Sequence, residues 1–205
     1  MTIENRQVNI GVLALQGDFE AHGKMLSSIE GVAVQEVRTT DDLAQVDALL
    51  LPGGESTTIA KLLDRSGLMT AVRERLAAGM PAFGTCAGLI LLAKSIVDRP
   101  NQPTIGALKV TVDRNAFGRQ VNSFEADINF DAAPLFDGTV RGVFIRAPYV
   151  TQSEPGVDIL ARYEDRIVAV RQGSILGIAF HPELTSDDRV HRYFINLVSE
   201  SLENH

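Results

Sequence analysis

Short apolar runs alternate with stretches of helical spacing through the first half of the chain. Val8 to Leu15 (VNIGVLAL) reads as a buried strand. Asp18 to Ile29 follows with helical spacing, and Asp18 stands where a cap belongs. Val32 to Val37 is a second strand, and Asp47 to Leu51 a third, stopped by Pro52-Gly53-Gly54. Thr57 to Ala78 holds one or two helices with a break near Gly67. Pro81 to Gly84 is a short strand, and a helix is predicted from Cys86 to about Val97. This alternation predicts parallel strands with helices packed on both faces.

From Thr104 the rhythm changes. Thr104–Val112, Phe124–Phe130, Val140–Ile145, Val157–Tyr163, Arg166–Arg171 and Ser174–Phe180 all read as strands between turns, before a last helix from about Asp187 to Leu202. They predict an antiparallel excursion or extra strands at one sheet edge. Asp98 to Pro103 is the loosest stretch and reads as a loop. No repeat or low-complexity tract interrupts the chain. The expected fold is α/β: a three-layer α/β/α sandwich around a central mixed, mostly parallel sheet, flavodoxin-like, with residues 1–205 forming a single domain.

Composition narrows the class. The chain has 205 residues, 45% of them hydrophobic, 22% charged, and a net charge of −7. That balance excludes a disordered or fibrous chain. The acidic surface argues against nucleic-acid partners, which require a positive field. No apolar run approaches a membrane span. Met1 to Gln7 lacks the apolar centre of a secretory signal. The one cysteine, Cys86, makes no intramolecular disulfide and leaves no set for structural zinc. A cytoplasmic protein acting on small molecules is expected, with no metal and no cofactor.

The chemistry concentrates at three places. Gly84-Thr85-Cys86-Ala87-Gly88 matches G-x-C-x-G, the thiol form of the nucleophile elbow, between a predicted strand and a predicted helix. Such a turn strains the central residue and lifts its sulfur to the carboxyl edge of the sheet, where open α/β sheets bind ligands. The helix N-terminus behind it favours thiolate, and the Ala87 amide is aimed where an oxyanion forms. A lone cysteine is more often a plain buried hydrophobe; the strand–turn–helix context favours the nucleophile.

His181 ends the apolar strand Ile175 to Phe180, with Glu183 two residues on. In an extended segment those side chains share a face, so Glu183 is placed to orient the imidazole. Cys86, His181 and Glu183 thus make a candidate nucleophile, general base and orienting group. His22 and His191 fall in predicted helices and are expected at the surface; His205 is terminal. The third place is Leu51-Pro52-Gly53-Gly54-Glu55-Ser56. It lacks the Lys-Ser/Thr of a phosphate loop. A plain turn remains open, but a second oxyanion donor from the Gly54 amide is favoured, because Cys86 needs one.

Together with Leu13 to Gly17, Arg114 to Gln120 and Phe144 to Pro148, these segments resemble the triad-type (class I) glutamine amidotransferases. Within them the chain is similar to the PdxT/SNO family, the glutaminase subunits of pyridoxal 5′-phosphate synthase, over nearly its whole length. Ile90 stands where most other branches carry Gln. The resemblance implies hydrolysis of L-glutamine to glutamate and ammonia through a glutamyl thioester on Cys86, with His181 and Glu183 completing the triad. It implies oxyanion donors at Gly54 and Ala87, and glutamine held by Gly54, Glu55, Ser56, Arg114, Ile145 and Arg146. It implies a PdxS/SNZ-type (β/α)8-barrel synthase as partner, twelve glutaminases around a twelve-barrel core, and Gln16 at the activating interface. A chain of this length is expected to leave the ammonia-accepting chemistry to another chain. Two rivals remain: a DJ-1-like cysteine peptidase, which usually carries His directly after the elbow cysteine where Ala87 stands, and a non-catalytic regulatory subunit.

Overall fold

The computed structural model describes residues 7–97, 99–114, 123–130 and 138–203. Its elements run β1 (Val8–Leu13), α1 (Phe19–Ser27), β2 (Val32–Val37), α2 (Thr40–Ala44), β3 (Ala48–Leu51), α3 (Ser56–Arg65), α4 (Leu68–Ala77), β4 (Ala82–Thr85) and α5 (Ala87–Leu92). They continue as β5 (Ala93–Ile96), β6 (Leu108–Asp113), β7 (Ser123–Asn129), β8 (Thr139–Ile145), β9 (Tyr149–Ser153), β10 (Asp158–Tyr163), β11 (Arg166–Gln172) and β12 (Ile175–Ile178). A single 3-10 turn (Pro182–Leu184) and α6 (Arg189–Glu203) close the chain.

The sheet order is β2-β1-β3-β4-β12-β11-β9-β6-β5, with β10 paired to β11. From β2 to β12 every pairing is parallel. The parallel half is apolar on both faces: β3 and β4 are buried throughout, as strands covered on both sides must be. Beyond β12 the pairings to β11, β9 and β6 turn antiparallel. The two outcomes expected after Thr104 both occur. Four strands widen the sheet, and β7 and β8 form a separate two-stranded ladder. The ladder is anchored by Phe124 stacked on Phe144, with Phe144 packed against Phe180 beneath it. The α/β sandwich with a mixed, mostly parallel sheet therefore stands.

Several boundaries differ from the sequence reading. The helix predicted to run to Val97 stops at Leu92, and the chain continues as β5. Six buried apolar residues have no polar face, so their period cannot mark where helix becomes strand. β1 ends at Leu13 and β6 begins at Leu108. Asp18 does precede α1, but its side chain makes no capping bond. Helix α2 and strand β9 are additional; α2 is short and held by a reciprocal Thr39–Asp42 capping box. The break near Gly67 is present, with Gly67 left-handed between α3 and α4.

The elbow glycines are required by space. A Cβ on Gly88 would sit on the Leu51 carbonyl of the neighbouring strand, and one on Gly84 would meet the Gly88 backbone. α5 can cross the ends of β3 and β4 this closely only because both side chains are absent. Gly88→Ala is expected to lower unfolding stability by about 3 kcal/mol, the upper range of overpacking costs. Gly23→Ala, inside α1 with nearest contact 3.9 Å from Val34, should instead raise it by about 0.5–1 kcal/mol. Chemical denaturation of both variants measures the pair.

Candidate active site

β4 and β12 lie side by side, with Thr85 opposite Ile178. The Cys86 amide extends that ladder by donating to the Ile178 carbonyl at 2.9 Å. Cys86 and His181 therefore leave the sheet at adjacent strand ends. Cys86 adopts φ 48 and ψ −101, a left-handed conformation that non-glycine residues rarely take. Its Sγ lies 3.9 Å from the Ile145 carbonyl, and Cys86 and His181 line the same cavity. α5 behind it has only six residues, so it offers first-turn amides rather than a long dipole.

His181 Nδ1 and Glu183 Oε1 are 2.7 Å apart. The pairing is made by the 3-10 turn, not by the extended segment expected; the turn folds Glu183 back beneath the ring. The Cε1 edge of the ring packs on Gly53, where a Cβ would strike the imidazole. The His181 amide is fixed to Val143 of β8 at 2.8 Å. Burial works against the His181 cation, but hydrogen bonds and charge from Cys86 and Glu183 outweigh it and raise its pKa to about 10. Burial likewise works against the Glu183 carboxylate. Hydrogen bonds from His181 and His22, with the charge of His181, prevail and hold it well below its ordinary 4.5.

A cavity of about 470 Å³ opens over the sulfur, lined in part by Gln16, Gly54, Glu55, Ser56, Cys86, Ile90, Arg114, Ile145, Arg146 and His181. Of the residues singled out in the sequence, Ala87 and Glu183 lie behind this wall, both buried. Glu55 is already engaged. Its carboxylate caps α3 through the Thr57 and Thr58 amides and pairs with Arg114 at 3.1 Å. Its amide donates to Gln16 Oε1 at 2.9 Å. Gln16 also fills the space a Cβ on Gly54 would need, 2.7 Å from that position. The Gly53 carbonyl accepts from the Asp18 amide at 3.3 Å. Residues 115–120 of the quoted Arg114–Gln120 segment, and His205, lie outside the described residues.

Three participants were not anticipated. Gln102, from the loop after β5, donates to Ser56 Oγ at 3.1 Å and accepts from Arg114 and Thr57. His22 and His191 were expected at the surface; both are fully buried. His22 Nε2 lies 3.3 Å from Glu183 Oε1 and 3.1 Å from Thr85 Oγ1, and His22 Nδ1 lies 2.9 Å from His191 Nε2. The i, i+4 pattern of α1 carries no mark that its buried face ends in a polar pocket. Among the described residues no group of three or more His, Cys, Asp or Glu side chains is placed to hold a metal ion. No described helix is long and apolar enough to cross a membrane.

The likeness to known proteins follows the same lines. A solved structure described as a glutamine amidotransferase superposes with a TM-score of 0.86 at 50% identity, covering 93% of this chain and 98% of that one. The structure of PurLQS from Thermotoga maritima, 17% identical with a TM-score of 0.68 over 97% of this chain and 98% of that one, shares the fold. Fold and sheet-edge cysteine place the protein among the class I glutamine amidotransferases. The model of the SNO glutamine amidotransferase family matches residues 12–200, and the chain belongs to that family. A pyridoxal 5′-phosphate synthase subunit PdxT from Acidothermus cellulolyticus is 54% identical over 97% of this chain and 98% of its own length. Its namesake from Carboxydothermus hydrogenoformans is 50% identical over 95% and 100%.

The two shifted groups set a pH signature. The raised His181 value contributes stability in full below its ordinary 6.5 and loses it as pH rises through about 10. The lowered Glu183 value contributes above its ordinary 4.5 and loses it as pH falls below. The stability of the wild type over Glu183→Gln should thus be greatest between pH 4.5 and 6.5 and fade toward both extremes. Thermal melts across pH measure it.

Proposed function

We infer that the chain is the glutaminase subunit of a pyridoxal 5′-phosphate synthase, folded as one glutaminase domain. It hydrolyses L-glutamine and passes ammonia to a partner synthase. The observation that carries this reading is the cavity itself. It presents the Cys86 sulfur beside an imidazole whose far nitrogen is held at 2.7 Å by a buried carboxylate. The names of the relatives support the assignment to pyridoxal 5′-phosphate synthesis.

Cys86, as thiolate beside the His181 imidazolium, attacks the side-chain amide carbon of glutamine. The amides of Gly54 and Ala87 receive the resulting oxyanion. His181 gives its proton to the amide nitrogen, the C–N bond breaks and ammonia leaves. A glutamyl thioester remains on Cys86. His181, now neutral, takes a proton from water as the hydroxyl oxygen attacks the thioester. The second tetrahedral species collapses to glutamate, and thiolate and imidazolium are restored. Glu183 keeps the ring oriented and its cation stable throughout.

Gly54, Glu55, Ser56, Arg114, Ile145 and Arg146 hold the substrate. Arg146 lines the cavity with φ 44, and its fork suits the α-carboxylate. Arg114 supports the same wall through Glu55, Thr57 and Gln102. Ammonia freed into water is protonated and lost as a nucleophile, so the acceptor must dock beside the site. Gln16, bonded to the Glu55 amide and lying against Gly54, is where docking resets the oxyanion loop. The partner is a PdxS/SNZ-type (β/α)8 barrel, in an assembly of twelve and twelve. A working thiol suits the reducing cytoplasm.

Glutamate release from glutamine, measured with and without the synthase barrel, tests the reading. The wild type should turn over when docked and fall at least tenfold when alone, the loss expected from one missing oxyanion donor being about 100-fold. Cys86→Ala should abolish release in both cases with the fold retained. Turnover surviving in that variant, or cleavage of peptides with glutamine ignored, overturns it.

A further inference from the structure

Behind the triad lies a buried polar chain that the reaction above does not use. Glu183, with no side-chain exposure, presents Oε1 to His181 at 2.7 Å and to His22 at 3.3 Å. Its Oε2 has no hydrogen-bond partner among the described residues. His22 comes from α1 and His191 from α6, so the chain ties the 3-10 turn to two helices distant in sequence. Phe83 closes it on the apolar side, edge-on to both imidazoles at 6.4 and 5.7 Å. We propose that His22 is a positioning residue of the glutaminase: an Nε2–H donated to Glu183 holds the carboxylate that orients His181, and His191 fixes that tautomer from behind.

Donor and acceptor logic fixes the proton positions. A carboxylate only accepts, so the His22 nitrogen facing it must carry hydrogen to attract it. The same Nε2–H is shared with Thr85 Oγ1 at 3.1 Å. In a neutral His22 the other nitrogen, Nδ1, is then an acceptor. The atom facing it at 2.9 Å is His191 Nε2, which supplies the hydrogen. His191 Nδ1 is left as a bare lone pair, and it is the one His191 ring nitrogen without a partner. Burial presses the His191 pKa down to about 3, so it serves as a neutral donor. The opposite tautomer would aim a His22 lone pair at the carboxylate.

The consequence is local to catalysis. With Oε2 unmatched, His181 and His22 are the donors that stabilise this carboxylate among the described residues. Without His22 the buried charge rests on His181 alone, takes a proton more readily, and rotates more freely. His181 then loses the anchor that favours its cation. The polar contacts of His22 run to His191, Thr85 and Glu183 and to none of the residues assigned to the substrate, so turnover suffers and binding does not.

The proposal rests on the glutaminase reading, and its test separates the two. The full chain is assayed with its synthase barrel. His22→Phe, which keeps bulk and removes the donor, should lower kcat roughly 10- to 100-fold with KM changed less than about twofold, the scale of an unpaired buried charge. His22→Gln, whose amide N–H reaches the Nε2 position, should restore most of it. Equal loss in both variants, a KM effect in place of a kcat effect, or a folded His22→Phe with wild-type kcat would overturn the proposal. Should the variants not fold, the nitrogen-15 spectrum of the wild-type imidazoles decides: His22 protonated at Nε2 supports it, and a bare Nε2 refutes it. That spectrum needs no turnover, so a wild-type complex inert toward glutamine would defeat the glutaminase reading and leave this one decided on its own evidence.

Discussion

The parallel pairing of β4 with β12 is the constraint on which the site depends. Ala82 to Thr85 run in register with Ile175 to Ile178, and the Cys86 amide adds one more bond to the Ile178 carbonyl. Nothing local brings sulfur and imidazole together; only this pairing places the two strand ends side by side. A slip of one residue would turn the Cys86 turn and the His181 segment out of phase and send each strand's side chains to opposite layers. Register is protected because both strands are buried on both faces, among Phe83, Leu176 and Ile178. The glycines of the elbow belong to the same constraint. They let α5 approach Leu51 closely enough for the sulfur to stand at the rim rather than above it.

What was legible in the sequence divides along a physical line. Strands buried on both faces announce themselves as apolar runs, and the elbow announces itself by two glycines at fixed spacing, because each is required by backbone contact. The pairing of His181 with Glu183 was visible too, although the structure reaches it through a 3-10 turn and not an extended strand. The end of α5 was hidden because six consecutive apolar residues look alike in helix and strand. His22 and His191 were misplaced for a related reason. A histidine on a helix reads as polar, hence outward, and only the packing of α1 and α6 over Phe83 shows both rings turned inward. Gln102 sits in a loop whose composition carries no periodicity at all; its role exists only through Ser56 and Arg114, distant in sequence.

The wall of the cavity is held by polar groups that answer to one another. Arg114 spans Glu55, Thr57 and Gln102, and Glu55 caps α3 while its amide is held by Gln16. Each bond is modest alone and partly exposed, so the individual ion pair contributes little to stability. Their joint effect is positional. Glu55 cannot swing toward a ligand without uncapping a helix, and Gln16 cannot leave without freeing the Glu55 amide. Movement of the Gly53-Gly54 peptide is thereby linked to an exposed glutamine contact, which is what a surface-triggered change in the loop requires.

Strain and buried charge are concentrated where they serve orientation. Cys86 at φ 48 and Arg146 at φ 44 line the same cavity. Such conformations cost about 1–3 kcal/mol each and survive only when the surroundings over-determine them. For Cys86 the surroundings are the β12 ladder on one side and α5 on the other. The Glu183 carboxylate is destabilising in the same way, since its burial opposes its charge. A hydrophobic residue there would pack more favourably, but it would leave the His181 ring free to turn. The fold tolerates both costs because its core is otherwise apolar and continuous from β1 to α6. The sulfur and the imidazole are thus held at the ends of two core strands paired in one register, while the neighbouring Gly53-Gly54 loop keeps the freedom that docking uses.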